Sequence, residues 1–259
     1  MSGAPRVTWL YHDLSSPRLP KSMPNHVSSV VHLAQSPHFR EFPEQALHIF
    51  DVNVGSTMRL LHWARTAGAR CFVYASSGGI YGHGDQDFKE DDVVGSKGPL
   101  GFYFASKQCG EFLVENYSTC FTIVILRFFF VYGRGQRPTM LIPRLVRSVL
   151  DGRPILLQGE EGMRLNPIHV DDAVTAIARS LELKESHKIN VGGPEVLTLK
   201  RIGEIIGSHV KRAPRYQIEE VGPPRHLVGD ISKMTRLLGG PSVRFADGVR
   251  EVCHEVAAG

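Results

Sequence analysis

Hydrophobic positions along this chain fall into two kinds of segment that alternate. Near-continuous apolar runs at residues 27–34, 71–75 and 122–129 are short and bounded by small or polar residues, the pattern of strands buried on both faces of a parallel sheet. Between the first two runs the apolar residues recur at three- and four-residue steps. Leu47, Phe50, Val54, Met58 and Leu61 predict a helix over 42–67, with Gly68 as its stop. Residues 103–117 read as a second helix, 141–150 as an amphipathic one ending at Asp151-Gly152, and 199–210 and 244–256 as two more. Residues 6–11 and 154–158 read as short strands, and 15–25 as a loop rich in Pro and Ser. The acid-rich stretch 84–101, with Asp85, Asp87, Glu90, Asp91 and Asp92, is expected to be a solvated flap and not a metal site. Asp171-Asp172, just ahead of an apolar helix, predicts an N-cap and a first-turn acid.

Composition narrows the class without naming it. The 259 residues suffice for one sizeable core, or one plus a small lobe. Hydrophobic residues make up 42% and charged ones 22%, ordinary for a globular protein. The 30 basic side chains against 26 acidic ones leave a scattered +4, too mild for a nucleic-acid partner. Cys71, Cys109, Cys120 and Cys253 show neither C-x-x-C nor metal spacing, which predicts reduced thiols in a cytoplasmic protein. The N-terminus lacks a signal-peptide core. The most apolar stretch, 121–132, is interrupted by Arg127 and too short to span a membrane.

Candidate chemistry centres on Tyr103-Phe104-Ala105-Ser106-Lys107. Positions i and i+4 share a helix face, so this spacing sets a phenol beside an ammonium. A neighbouring cation favours the phenolate, so Lys107 is expected to lower the Tyr103 pKa and let it move protons on and off a substrate hydroxyl. Upstream, the apolar run from Cys71 ends in Ser76-Ser77-Gly78-Gly79-Ile80-Tyr81-Gly82. Ligands in open α/β sheets sit at the carboxyl ends of the strands, where such a serine can donate to a substrate oxygen.

Strand, Ser-Ser, Tyr-Gly and then Tyr-x-x-x-Lys resembles the extended short-chain dehydrogenase/reductases, the NAD-dependent epimerase/dehydratase family. The likeness continues in family order through Val30-Val31-His32-Leu33-Ala34, Asn53-Val54-Gly55-Ser56-Thr57, Leu126-Arg127-Phe128-Phe129-Phe130-Val131-Tyr132-Gly133 and His169-Val170-Asp171-Asp172-Ala173. It implies an α/β fold: a Rossmann-like parallel sheet, truncated at its N-terminus, with a small C-terminal α/β substrate lobe. Residues 1–133, with sheet elements from 134–190, would form the dinucleotide side, and 134–259 mainly the substrate lobe.

By the same resemblance, Ser77, Tyr103 and Lys107 are the catalytic residues. Asp13, Leu14, Leu33, Ala34, Asn53, Ser76 and Phe129 would join Tyr103 and Lys107 in binding the cofactor. Asp13 also reads as a plain turn residue, and Phe129 as core. Ser77, Arg164 and Arg225 would bind substrate, the arginines by gripping a diphosphate in a bidentate fork; each arginine also reads as a surface cation. The cofactor implied is NAD, with NADP left open, and the partners are a nucleotide sugar and a second copy of the chain.

Three departures from the family pattern matter. The 4,6-dehydratases follow the catalytic serine with an acidic pair, whereas this chain has Gly78-Gly79, which argues against dehydration by that route. Phe130 stands where the family often has an asparagine that touches substrate phosphate. Ahead of Asp13 the family has a strand, a glycine-rich turn, a helix and a second strand, a unit of roughly 30 or more residues, and no G-x-x-G-x-x-G occurs here. That removes the usual pyrophosphate cradle. It leaves the 6–11 strand without its normal partner, so it is expected to pair beside 27–34, to pair elsewhere, or to be poorly ordered. A shortened piece of a longer protein is the favoured explanation, a natural loss of dinucleotide binding the other. The expected activity is an NAD(P)-dependent sugar-nucleotide epimerase or related oxidoreductase. The alternatives are a cofactor-free or regulatory binding protein on the same fold and a reductase of a non-sugar small molecule.

Overall fold

The computed structural model describes residues 7–95, 97–219 and 226–258. In chain order the strands are β1 (Ser29–His32), β2 (Cys71–Ser77), β3 (Thr122–Phe128), β4 (Pro154–Gln158), β5 (Arg164–Leu165), β6 (His187–Val191), β7 (Leu197–Thr198) and β8 (Arg215–Glu219). The helices are α1 (Ala46–Phe50), α2 (Ser56–Thr66), α3 (Gly101–Glu115), α4 (Leu141–Asp151), α5 (Val170–Ser180), α6 (Leu199–Val210), α7 (Ser232–Leu238) and α8 (Phe245–Ala258).

The main sheet is wholly parallel, in the order β1-β2-β3-β6, with Tyr74 opposite Ile125 and Ser76 opposite Arg127. β2 and β3 are apolar on both faces because both faces are covered. On one side Phe72, Tyr74, Ile123 and Ile125 pack with Leu61 of α2 and Val114 of α3. On the other, Val73, Val124, Leu126 and Ile189 pack with α5 and α7 through Ala173, Ala176, Met234 and Leu238. A third cluster joins α4, α6 and α8 to β4 through Val146, Ile155, Leu157, Ile202, Ile206, Phe245 and Val249.

Several sequence expectations change here. Residues 7–12 enter no strand, and Val7, Trp9 and Tyr11 are exposed. The expected 6–11 strand therefore fails over its described part. A strand is held by its ladder, and the outer edge of β1 carries no partner among the described residues. The 42–67 helix starts at Ala46 and widens into a five-residue π turn over Asp51–Gly55 before continuing as α2. The inserted residue rotates the helix face. Ile49, Val52, Asn53, Ser56, Thr57 and Leu61 are buried, while Leu47, Phe50 and Met58 of the predicted stripe face outward.

The 84–101 loop is solvated as expected, with Asp85, Asp87, Asp91 and Asp92 exposed, and it is also anchored. Phe88 NH donates to the Val228 carbonyl at 2.8 Å, Asp230 NH donates back to Phe88 at 2.8 Å, and Gly84 NH reaches the His226 carbonyl at 3.1 Å. The N-cap of α5 is His169, whose ring accepts from Asp171 NH, and not Asp171 itself. The Asp172 carboxylate instead accepts from the Ser242 and Val243 amides at 2.9–3.1 Å and fixes the approach to α8.

Candidate active site

α3 buries Tyr103, Ser106, Lys107, Gly110, Glu111 and Val114, a stripe at steps of three and four facing β2. Gly110 permits that approach: a Cβ there would lie 2.1 Å from the Tyr74 hydroxyl. The packing carries Tyr103 and Lys107 to the carboxyl end of β2, where Ser76 and Ser77 end the strand. Ser77, Tyr103 and Lys107 thus line one cleft of about 1560 Å³, whose wall also includes Leu33, Ser76, Phe104, Phe129, Phe130 and Met163.

The local chemistry differs from the expected one. The Lys107 ammonium donates to the Ala75 carbonyl at 2.9 Å and lies over the Tyr74 ring, 5.3 Å from its centroid. Burial brings its pKa down to about 8, against the opposing pull of the Glu111 carboxylate one turn further on. Burial also pushes the Tyr103 phenol well above its ordinary range, opposed by a hydrogen bond from Ser77. The contacts of the Lys107 ammonium are thus the Ala75 carbonyl and the Tyr74 ring, and no hydrogen bond joins it to the Tyr103 phenol. The phenol donates instead to Gln35 Oε1 at 2.8 Å.

Asn53 sits in the π turn and clamps the same region. Its amide accepts from Ser36 NH at 2.8 Å and donates to Ser106 Oγ at 2.8 Å, tying the chain after β1 to α3. Leu33, Ser76 and Phe129 line the cleft, whereas Asn53 and Ala34 are not among its wall residues. Phe129 is fully buried against Ile80, Tyr81 and Leu227 as well. Asp13 and Leu14 are not cleft residues: Asp13 accepts from Ser15 NH at 2.9 Å in a turn, and the Leu14 carbonyl accepts from Arg59. Arg164 stands half-exposed off the cleft wall, 4.0 Å from the Asp87 carboxylate, and Arg225 lies outside the described residues.

Gly78 and Gly79 have a steric reason. A Cβ on Gly78 would lie 2.6 Å from the Phe129 ring, and one on Gly79 would lie 2.1 Å from Phe104. No acidic side chain fits beside Ser77 without moving those rings. Phe130 has left-handed backbone, φ 47°, which asparagine adopts far more readily than phenylalanine. Its ring joins two apolar clusters, which offsets that strain.

Gln35 and Arg40, both on the loop after β1, and Lys97 line the cleft and were not singled out from the sequence. The one available signal was their place: two of the three follow the carboxyl end of a parallel strand. Under the site, Arg127 on β3 forks onto Glu111 (Nε to Oε1 3.0 Å, Nη2 to Oε2 2.7 Å) and donates to Tyr81 Oη and the Glu90 carbonyl at 2.6 and 2.9 Å. Glu90 in turn accepts from Asn190 NH at 2.9 Å, which locks the 84–95 loop to β6.

A parallel α/β sheet carrying serine, tyrosine and lysine at its carboxyl edge defines a short-chain dehydrogenase/reductase type of protein. Residues 5–192 match the NAD dependent epimerase/dehydratase family, and the chain belongs to that family. It is 30% identical over 252 residues to a protein of Bacillus subtilis (strain 168) described as an uncharacterized UDP-glucose epimerase, YtcB, covering 94% of this chain and 78% of that one. It is 29% identical to a UDP-glucuronate 4-epimerase of Thermodesulfobacterium geofontis (strain OPF15), over 88% of this chain and 72% of that one. The UDP-glucuronic acid 4-epimerase from Bacillus cereus, solved with UDP-glucuronic acid and NAD, superposes with a TM-score of 0.78 at 26% identity, covering 90% of this chain and 76% of that one.

The family is NAD-dependent, and this chain's residues fit one end of that cofactor. Ser76 Oγ is buried with no hydrogen-bond partner, and Ser76 and Lys107 both line the cleft. Together they offer polar groups to a ribose and its attached ring. No glycine-rich strand–turn–helix unit stands beside β1 among the described residues, so they contain no cradle of that kind for the pyrophosphate.

Proposed function

We propose that the chain is a sugar-nucleotide epimerase-type enzyme in which Tyr103 carries the proton. The observation behind this reading is the single cleft shared by Ser77, Tyr103 and Lys107. Apart from Tyr81, its other ionisable lining residues, Arg40, His83 and Lys97, are basic, and no Asp or Glu lines it among the described residues. A cation-lined, largely apolar cleft suits an anionic ligand with an apolar base, as a nucleotide diphosphate has. Bound NAD supplies the hydride acceptor. Ser77 Oγ orients the reacting oxygen, Tyr103 Oη takes and returns its proton, and Lys107 with Ser76 holds the ribose hydroxyls. The aromatic seal over Gly78 and Gly79 favours epimerisation over dehydration, because no carboxylic acid stands there to protonate a leaving hydroxyl. Arg164 and Arg225 remain the candidates for the diphosphate. Residues 1–133 with β6 make up the cofactor side in this reading, and 134–259 mainly the substrate lobe.

Incubation with UDP-glucose or UDP-glucuronate and NAD, followed by chromatography of the C4 epimers, tests the reading. Epimer formation at a rate proportional to protein is expected. Binding of the UDP-sugar without NAD binding or turnover would make the cleft a cofactor-free nucleotide-sugar site instead.

The outward stripe of Leu47, Phe50 and Met58, continued by Phe112 on α3, supports a homodimer packed through these helices. Sedimentation of Phe112→Asp is expected to show monomer where the parent shows dimer. A parent that already sediments as a monomer removes the proposal. All four cysteines are free thiols, which supports a cytoplasmic location. Among the described residues no helix is long and apolar enough to cross a membrane.

A further inference from the structure

Tyr103 meets an oxygen of its own chain at the place where the proposed function needs a substrate oxygen. The phenol donates to Gln35 Oε1 at 2.8 Å. Gln35 lies on the three-residue stretch between the end of β1 and Ser36, whose amide is pinned by Asn53. Its side chain is exposed to the cleft and forms part of its wall. Phe39 and Phe104 flank the tyrosine with ring centroids 5.2 and 5.3 Å away, so the hydroxyl is left open mainly toward Gln35 and Ser77.

We propose that Gln35 is a positioning residue that holds the proton on Tyr103 in the free protein and must yield its place to the substrate oxygen. An amide oxygen can only accept, so this bond exists with the neutral phenol and is lost with the phenolate. In the free protein it therefore favours the neutral phenol over the phenolate, and this hold ends when the amide turns aside. No bond between heavy atoms is made or broken: the amide turns aside and the ligand oxygen accepts the same O–H. The titratable and charged groups around the phenol are Lys107 one turn along α3, Tyr74 beneath it on β2, and Arg40, His83 and Lys97 around the cleft. None of the charged ones is a carboxylate that could accept the O–H in place of Gln35. The inference rests on the reading of Tyr103 as proton carrier for its consequence, but not for its test.

The test reads the hydroxyl proton directly. With carbon-13 at tyrosine Cζ and an equal mixture of light and heavy water, a slowly exchanging phenol proton splits its Cζ signal in two. The Tyr103 signal is the one missing from Tyr103→Phe. It is expected to be split in the parent and to collapse in Gln35→Met, which matches glutamine in length and offers no comparable acceptor. A single hydrogen bond corresponds to about a three- to tenfold faster exchange when lost. Gln35→Glu keeps an acceptor and is expected to keep the splitting. An unsplit parent signal, or splitting unchanged in Gln35→Met, overturns the inference. Full turnover of UDP-glucose by Tyr103→Phe would instead defeat the proton-carrier reading, while the splitting still reports on Gln35. Because Gln35 is exposed, its variants leave the core intact.

Discussion

Tyr103→Phe is expected to lower turnover of a UDP-sugar with NAD by about 10²–10⁴-fold, the usual scale of a lost general acid–base group. The reason is local. The side chain is almost fully buried, its ring is held between Phe39 and Phe104, and its hydroxyl is its one proton-bearing atom at the cleft. Phenylalanine keeps the ring and all of that packing. The hydrogen bond it forfeits, to an exposed glutamine, costs stability only about 1 kcal/mol. Affinity for the UDP-sugar should change by no more than a few fold, because the remaining cleft wall is untouched. Loss of turnover at nearly constant binding separates a proton carrier from a packing residue. Turnover within about threefold of the parent would remove Tyr103 from the chemistry.

Glu111→Gln should carry the largest cost in stability, about 3–5 kcal/mol in urea or guanidinium unfolding. It leaves the Arg127 guanidinium buried without its counter-charge. Both side chains of the pair are almost completely inaccessible, 3% for Arg127 and 5% for Glu111, so water cannot replace the lost partner. Exchanging both residues for methionine should be less damaging than the single change, since an apolar pair carries no desolvation penalty. Some loss should remain even then, because Arg127 also holds Tyr81 and the Glu90 carbonyl. Additive costs in Glu111→Met, Arg127→Met and the double methionine variant would show that the fork contributes no coupling. The position of the pair has a functional corollary. Glu111 raises the pKa of Lys107 against burial, so its loss should also favour the uncharged amine in the cleft.

The legible part of this protein is that which one periodicity or one local motif encodes. β4 and α6 fall on their predicted residues, and α4, α3 and β3 fall within two residues of them, because each is encoded by one local run or one helical periodicity. The stop at Gly152 follows from left-handed backbone that glycine adopts freely. Tyr103, Lys107 and Ser77 were legible because i and i+4 on a helix, and a serine closing a parallel strand, leave little freedom in where the side chains point. The α1–α2 stripe was misleading for a physical reason: one π turn rotates the face, and no residue type marks such a turn. Asp13 was ambiguous because an aspartate before an apolar residue suits both a turn and a cofactor contact.

The apolar pattern by itself pointed to an α/β chain with buried parallel strands and to the order of its elements, while the resemblance to the family is what grouped Ser77 with Tyr103 and Lys107. The elements and their order are consequences of short-range sterics and of apolar area leaving water, and both act on neighbours in the sequence. Only the tertiary structure decided that the Tyr103 hydroxyl faces Gln35 and not Lys107, that Arg127 and Glu111 close a buried fork under the site, and that Phe104 and Phe129 seal Gly78 and Gly79. Each of those contacts joins different elements of the chain, so its existence depends on how the helices and loops settle on the sheet, which no local pattern records.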